Sequence, residues 1–321
     1  MKAEIVREKM NRCGSAAIPF LFGVDFEGDH GFFVEHPLKN QTIPFVAGEI
    51  SNMSSVSLPI PTPQIKILKT DAEAYRQKFS IVRQGLLHGD SFLLNLTEKT
   101  PIRTNLTLEQ IFHHSRAKYK LLLPEHCVCF SPESFIQIKD GEIFSYPMKG
   151  TINATLPDAS QLLLENYKET CEHYTIVDLI RNDLNQIAEQ VQVKRFRYLE
   201  KIRTIRGEIW QTSSEIQGKL FPDWNKKLGN LIFQLLPAGS ISGAPKPSTI
   251  QLIRQAEQVP RGYYTGVFGY FDGQNLDSAV LIRYIEKEGE HYYFRSGGGI
   301  TINSQAEEEY QEVLEKIYLS I

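Results

Sequence analysis

The side chains best suited to chemistry in this 321-residue sequence are a lone lysine, a glutamate after a proline, and two glutamate-rich stretches. Lys149 lies in Tyr146-Pro147-Met148-Lys149-Gly150-Thr151. An amine set between apolar residues and a glycine is partly desolvated, which favours the neutral, nucleophilic form. The plainer reading is a lysine whose stem carries its charge out to water. Glu133, in Ser131-Pro132-Glu133-Ser134-Phe135, is suited to general acid or base work if its surroundings raise its pKa. Otherwise it marks a surface turn. Glu165, Glu169 and Glu172 stand at i, i+4 and i+7. Glu308, Glu312 and Glu315 repeat that spacing, and Glu309 lies three before Glu312. Such runs usually solvate a helix face. One carboxylate from each of two helices nevertheless suits Mg²⁺, which takes oxygen ligands, waters and an anionic substrate.

Two glycine-rich segments and a histidine pair complete the candidates. Gly239-Ser240-Ile241-Ser242-Gly243-Ala244-Pro245-Lys246 fails as a phosphate loop, because no lysine directly follows the glycine and Pro245 removes a backbone donor. Gly297-Gly298-Gly299 lets backbone approach a ligand without a Cβ in the way, and its N–H groups suit an anion. By itself the triplet reads equally well as a strained turn. His113-His114 has no accompanying ligand pattern and reads as solvated.

These residues must be held by elements that the pattern outlines. Strands are predicted at 20–26, 31–35 and 42–46, so the first 50 residues read as strand-rich. Residues 52–64, rich in Ser and Pro, read as a linker or long loop. A helix is expected from Asp71, its N-cap, to His88, with Gly89 past its end. Ser91–Ile102 reads as a strand, and Thr107 caps a short helix. Residues 127–152 form a hairpin turning at Asp140-Gly141. Asp158 to about Ala188 reads as one long helix with Leu164, Tyr167, Cys171, Tyr174 and Ile180 as its apolar stripe. Strands at 191–210, helices at 223–235 and 246–258, a hairpin over 263–286, a strand at 291–302 and a final helix at 305–320 follow. Strands in runs between long helices imply an α+β fold with mainly antiparallel sheets. No boundary divides the chain after residue 64. It reads as a single domain, 1–321, with the strand-rich segment 1–64 integrated.

Composition narrows the class. Lys+Arg is 35 and Asp+Glu 38, a net charge of −3, which argues against a nucleic-acid partner. No apolar run of about 18 residues predicts a membrane span, and the N-terminus has no apolar core of a secretory signal. The four cysteines form no C-x-x-C pair. Cys127 and Cys129 read as small buried apolar residues on one strand face, as in a cytoplasmic protein.

Taken in order, Ser131-Pro132-Glu133, Pro147-Met148-Lys149-Gly150-Thr151, Ile176-Val177-Asp178-Leu179-Ile180-Arg181-Asn182-Asp183, Gly239 to Lys246, and Gly297-Gly298-Gly299-Ile300 through Glu309-Tyr310-Gln311-Glu312 resemble the chorismate-utilising enzymes. The resemblance runs from about residue 70 to the end. It implies two stacked, mainly antiparallel β-sheets flanked by helices. Within the family, a lysine in the P-x-K-G-T segment resembles aminodeoxychorismate synthase, whereas alanine there resembles anthranilate synthase. The implied roles are Lys149 as nucleophile on the chorismate ring and Glu133 as proton carrier. Glu172, Glu309 and Glu312 are implied as Mg²⁺ ligands. Arg283, Tyr264, Ser240, Lys316, Gly298 and Gly299 are implied as substrate contacts, with Gly150 and Thr151 bordering the pocket.

The implied partners are a separate glutamine amidotransferase supplying ammonia and a downstream lyase acting on the product. Leu93, at a position where isochorismate synthases carry a water-activating lysine, argues against that activity. The segment Glu200-Lys201-Ile202-Arg203 stands where many relatives have a histidine-bearing H-L-x-S, so that histidine is expected to be absent. Only about 70 residues precede the first matching segment, so no tryptophan pocket is expected. Anthranilate synthesis and a non-catalytic chorismate-binding subunit are the rival readings.

Overall fold

The computed structural model describes residues 1–53, 60–204, 207–319 and 321. The central part of the 52–64 loop, 54–59, lies outside the described residues. Two sheets, each of nine strands among the described residues, dominate the molecule. Their strands pair antiparallel throughout. The sheets face one another through Leu21, Phe268, Tyr270 and Ala279 on one side and Phe45, Tyr119, Leu121 and Tyr284 on the other. Cys127 and Cys129 are buried in that same layer.

At Phe20–Val24 and Val267–Phe271 the first sheet is buried on both faces. In Phe20–Val24, Leu21 points to the partner sheet while Phe20, Phe22 and Val24 join the helices behind. This is the two-residue period of a strand applied to an unbroken apolar run. The N-terminal strands are built into both sheets: Phe20–Val24 pairs with Val267–Phe271, and Phe45–Ala47 pairs with Tyr119–Leu123.

Local signals set the clearest element ends. Asp71 accepts from the Ala74 N–H at the start of the helix Ala72–His88, and Gly89 closes it with φ +85°. Thr107 and Gln110 form a reciprocal capping box on Leu108–His114.

The segments expected as hairpins at 127–152 and 263–286 each contain a tight hairpin but cross into the other sheet, and three expectations about helices fail. The first 50 residues are not all strand, because Ala3–Ser15 is a helix that buries Val6, Met10 and Cys13. Its spacing of apolar positions is helical, but Lys2 offers no side-chain cap to announce it. The long helix from Asp158 is two helices, Ala159–Glu165 and Tyr167–Asn185. Asn166 stands between them and accepts from the Glu169 N–H at 3.0 Å, so it starts the second helix afresh and resets its phase. The apolar stripe shifts accordingly. Leu164, Tyr167, Cys171 and Tyr174 are exposed, while His173, Ile176, Val177, Ile180 and Leu184 face inward. Finally, the closing helix is shorter than expected, Ala306–Glu315. Among the described residues no helix is long and apolar enough to cross a membrane.

Candidate active site

The chain crosses between the sheets twice near one place. Cys127–Ser131 belongs to the second sheet and Ser134–Lys139 to the first, so Pro132 and Glu133 make the crossing. The Glu133 N–H donates to Ser131 Oγ at 3.1 Å, tightening that turn. The return runs from Leu276–Val280 to Tyr284–Glu288 and carries Arg283. Arg283 has φ +53°, a left-handed conformation that non-glycine residues rarely hold without tertiary support. Its guanidinium donates to the Lys316 carbonyl and lies 5.0 Å from the Tyr318 ring centre.

Around these crossings opens a cavity of about 570 Å³, within the range of small-molecule sites. Each residue that the family resemblance implied for the site borders it: Glu133, Lys149, Gly150, Thr151, Glu172, Ser240, Tyr264, Arg283, Gly298, Gly299, Glu309, Glu312 and Lys316. Segments spread from residue 133 to 316 thus converge on one space.

Lys149 and Thr151 come from Met148–Asn153, an edge strand of the first sheet with a bulge at Gly150. Gly150 has φ +78°, and a Cβ there would sit 3.0 Å from Glu169 Oε2 and 3.1 Å from Leu163 Cδ1. Glycine is therefore demanded both by conformation and by space. Thr212 Oγ1 donates to the Lys149 carbonyl, fixing the strand behind the amine. Lys149 Nζ lies 3.6 Å from Glu172 Oε2. Across the cavity, a Cβ on Gly299 would come within 3.1 Å of Nζ. The glycine run of the second sheet is thus the surface on which the amine rests.

Glu133 is a perturbed carboxyl of the cavity. Burial pushes it above its ordinary range, while the hydrogen bond donated by Ser240 and the charge of Lys149 pull it back. Phe135, Ile136, Ile180 and Leu235 line the space behind it and account for the desolvation. A proton is therefore retained on Glu133 at a pH where an exposed glutamate has lost it.

The glutamates divide differently from their spacing. Glu165 ends the first of the two helices and is held by Gln161 in solvent, so the i, i+4, i+7 stripe is broken. Glu169 and Glu172 border the cavity, as do Glu309, Glu312 and Glu315, whereas Glu308 is exposed. Glu309 is only 2% exposed. A Cβ on Gly298 would lie 3.4 Å from Glu309 Oε2 and 3.9 Å from Glu312 Oε1. Glu312 also pairs with Lys316 at 2.7 Å. Burial lowers the Lys316 amine from its ordinary value, and Glu312 opposes that. Among the described residues no three Asp, Glu, His or Cys side chains are grouped closely enough to hold a metal ion by themselves. Glu309 and Glu312 stand over the glycine floor, and Glu172 stands beside Lys149; carboxylate oxygens are the ligand type that Mg²⁺ takes.

Glu200, Lys201 and Ile202 border a neighbouring cavity and not this one. The residue paired with Thr151 is Gln211, on Gly207–Leu220, and it lines the site. Among the described residues no histidine borders the cavity. The buried His173 sits behind it against Ser214 Oγ at 2.6 Å, and burial lowers it to about 4. Leu93 packs beneath Gly299 and is 3% exposed. Gln211, Asn95, Ser296 and Arg295 were not singled out from the sequence. They carry no motif spacing of their own.

A two-sheet fold with a lysine, a buried acid and convergent carboxylates in one cavity defines an enzyme-like site for an anionic small molecule. Residues 49–320 match the chorismate binding enzyme family, and the chain belongs to it. An uncharacterised PabA-like protein of Haemophilus influenzae is 52% identical over 317 residues, covering 98% of this chain and 96% of that protein. The aminodeoxychorismate synthase component 1 of Klebsiella aerogenes is 30% identical over 262 residues, covering 76% of this chain and 56% of that one. Among solved structures, the menaquinone-specific isochorismate synthase of Escherichia coli shares the fold. Its TM-score is 0.76 at 17% identity, covering 98% of this chain and 81% of that one.

Proposed function

We propose that this chain aminates chorismate at C4 with ammonia to give 4-amino-4-deoxychorismate, the precursor of 4-aminobenzoate. The observation that carries the reading is the Lys149 amine inside the cavity, resting against Gly299 with Glu172 at 3.6 Å. Lys149 Nζ attacks C2 of the ring as the C4 hydroxyl leaves. Glu133, whose carboxyl burial raises above its ordinary range, gives a proton to that hydroxyl, which departs as water. Ammonia then forms the bond at C4 and the C2–Nζ bond breaks. Glu133, now a carboxylate, takes a proton from the incoming nitrogen. One difficult displacement becomes two easier ones.

Arg283, Lys316, Ser240, Tyr264 and the Gly298–Gly299 backbone hold the dianionic substrate, and Gly150 and Thr151 close the Lys149 side. Glu172, Glu309 and Glu312 would hold Mg²⁺. When bound, the ion neutralises carboxylate charge on the substrate and stabilises charge developing in the transition state. Ammonia comes from a separate glutamine amidotransferase, and a lyase then releases 4-aminobenzoate and pyruvate. Residues 1–321 act as one chorismate-binding unit, in the cytoplasm.

The test is one incubation of the chain with chorismate, Mg²⁺ and ammonium, read by mass spectrometry beside Lys149→Ala. The expected product keeps the pyruvyl ether and exchanges hydroxyl for amine, and Lys149→Ala loses turnover by orders of magnitude while melting as the wild type does. Anthranilate as product would assign the sister activity. Undiminished turnover by Lys149→Ala would remove the covalent route.

A further inference from the structure

The short segments Ile176 to Asp183 and Gly239 to Lys246 each end in a charged residue that does not border the cavity. These two residues meet each other instead. Lys246 Nζ lies 2.7 Å from Asp183 Oδ2 and donates to the Leu235 carbonyl at 2.8 Å. Leu235 ends the helix Leu228–Leu235, and Lys246 begins the helix Lys246–Glu257. One amine therefore closes the loop between these helices at its base and fastens it to a third, Tyr167–Asn185. The loop carries the single turn Gly239–Ser242. A Cβ on Gly239 would lie 3.0 Å from Asp183 Oδ2, so the carboxylate rests against the backbone beside Ser240. Ser240 Oγ in turn donates to Glu133 Oε1. Asp183, Gly239, Ser240 and Glu133 border one small space of about 30 Å³ behind the acid. The far side of the loop is held separately, by Arg261 on the Ile241 carbonyl and by Gly243 and Ala244 pairing with Leu94 and Leu93. The Asp183–Lys246 clasp thus acts on the end that carries Ser240.

We propose that Asp183 and Lys246 are positioning residues that set the direction of the Glu133 carboxyl through Ser240. This rests on the acid role given to Glu133 above. A carboxyl group turns readily about its last bond, and proton transfer needs hydrogen-bond reach. The bond from Ser240 fixes one oxygen and leaves the other for the departing hydroxyl. With the clasp open, Ser240 shifts, the carboxyl turns, and the proton is delivered along a poorer line. A buried ion pair adds little to stability by itself, because desolvation offsets its attraction. Its effect here is therefore on rate more than on folding. A second signature follows from the surroundings of Glu133. Ser240 and the charge of Lys149 are what oppose the rise that burial imposes on it. Loosening Ser240 lets the carboxyl keep its proton to higher pH.

The experiment compares the wild type, Asp183→Asn/Lys246→Met, Ser240→Ala and the triple variant. The paired substitution removes both charges together, so neither is left buried alone. The kcat/KM for chorismate is followed across pH with free ammonia held constant, beside melting curves. Asp183→Asn/Lys246→Met and Ser240→Ala are each expected to lose about tenfold. In both, the fall in rate on the alkaline side moves to higher pH. The triple variant is expected to be no slower than Ser240→Ala, because one route is cut twice. If the paired variant melts too low to assay, Asp183→Ala is read against Asp183→Asn. Asparagine keeps an acceptor for Lys246 and should keep the wild-type profile, whereas alanine should show the shift. A paired variant, or Asp183→Ala, with the wild-type profile overturns the proposal. So does a triple variant whose loss is the product of the two separate losses. In both cases the wild type still aminates chorismate, and that reading stands. A wild type that does not aminate chorismate removes that reading, and this one with it.

Discussion

Gly299→Ala isolates the placement of the lysine from the stability of the fold. A methyl group at 299 would sit 3.1 Å from Lys149 Nζ and 3.3 Å from Leu93 Cδ1. Both are closer than ordinary contact, so something must yield by a few tenths of an ångström. Nζ is the far end of a flexible chain and moves first. Gly299 has no left-handed φ to lose. Replacing glycine with alanine where the backbone permits it gains about 0.4–1 kcal/mol through the unfolded chain. The tight contacts offset this, and the net change in stability is expected to stay within about 1 kcal/mol. Turnover is far more sensitive, because a misplacement of about 1 Å costs on the order of a hundredfold. A shift of a few tenths therefore lowers kcat about tenfold. The assay is steady-state amination with ammonium beside urea denaturation. Gly243→Ala serves as contrast: with φ +121° and its Cβ 1.9 Å from the Leu93 carbonyl oxygen, it strikes backbone and should lose stability and turnover together. A Gly299→Ala enzyme of wild-type turnover, or one whose loss of turnover tracks its loss of stability, would refute the geometry.

Glu133→Gln should lower turnover by about 10²–10⁴-fold, the usual share of a proton-transfer group. Because burial raises the Glu133 carboxyl, the folded state holds that proton more tightly than the unfolded chain. Its stabilising proton is fully present below the ordinary glutamate value and is lost as pH rises through the raised one. Glu133→Gln is therefore expected to melt above the wild type at pH 8, with the gap closing towards pH 4; a gap independent of pH contradicts this. Glu312→Gln should shift the Mg²⁺ midpoint of chorismate binding upward by about tenfold or more, and a wild-type titration rejects Glu312 as a ligand. Arg261 is 1% exposed and binds Glu257 and the carbonyls of Ile241 and Asn95. Arg261→Met leaves the buried Glu257 without its counter-charge, holding only the Thr97 N–H, so denaturation should show a loss of about 3–5 kcal/mol; a loss below 1 kcal/mol, on the order of a surface pair, would mean that the Arg261 pair does not hold this layer together.

Local chemistry was readable where one side chain decides an element's end. Asp71, Gly89 and Thr107 act where their types imply. The Asn166 cap carried a similar signal, asparagine three residues before a glutamate, but unbroken helical periodicity on both sides obscured it. The helix Ala3–Ser15 hid its stripe of Val6, Met10 and Cys13 behind alternating charges. The site's residues were legible because they recur in fixed short segments. Their meeting in one cavity depends on sheet crossings that no local pattern encodes. Gln211 was invisible for a further reason. Gln211-Thr212-Ser213-Ser214 look alike in sequence, and only the tertiary structure shows which of them borders the cavity.

The two sheet crossings have a mechanical consequence. Glu133 and Arg283 ride on the links between the sheets, Lys149 on one sheet, and Gly298 and Gly299 on the other. The sheets are therefore placed like the two jaws of a calliper, with the spacing from amine to glycine floor as its reading. A small rotation of one jaw changes the distance from amine to glycine floor while leaving every strand's own hydrogen bonds intact. Repacking the inter-sheet layer at Phe268 or Tyr119, remote in sequence from Lys149, would register first as a change of rate. The apolar layer between the sheets is, in this sense, the part of the enzyme that sets its gauge.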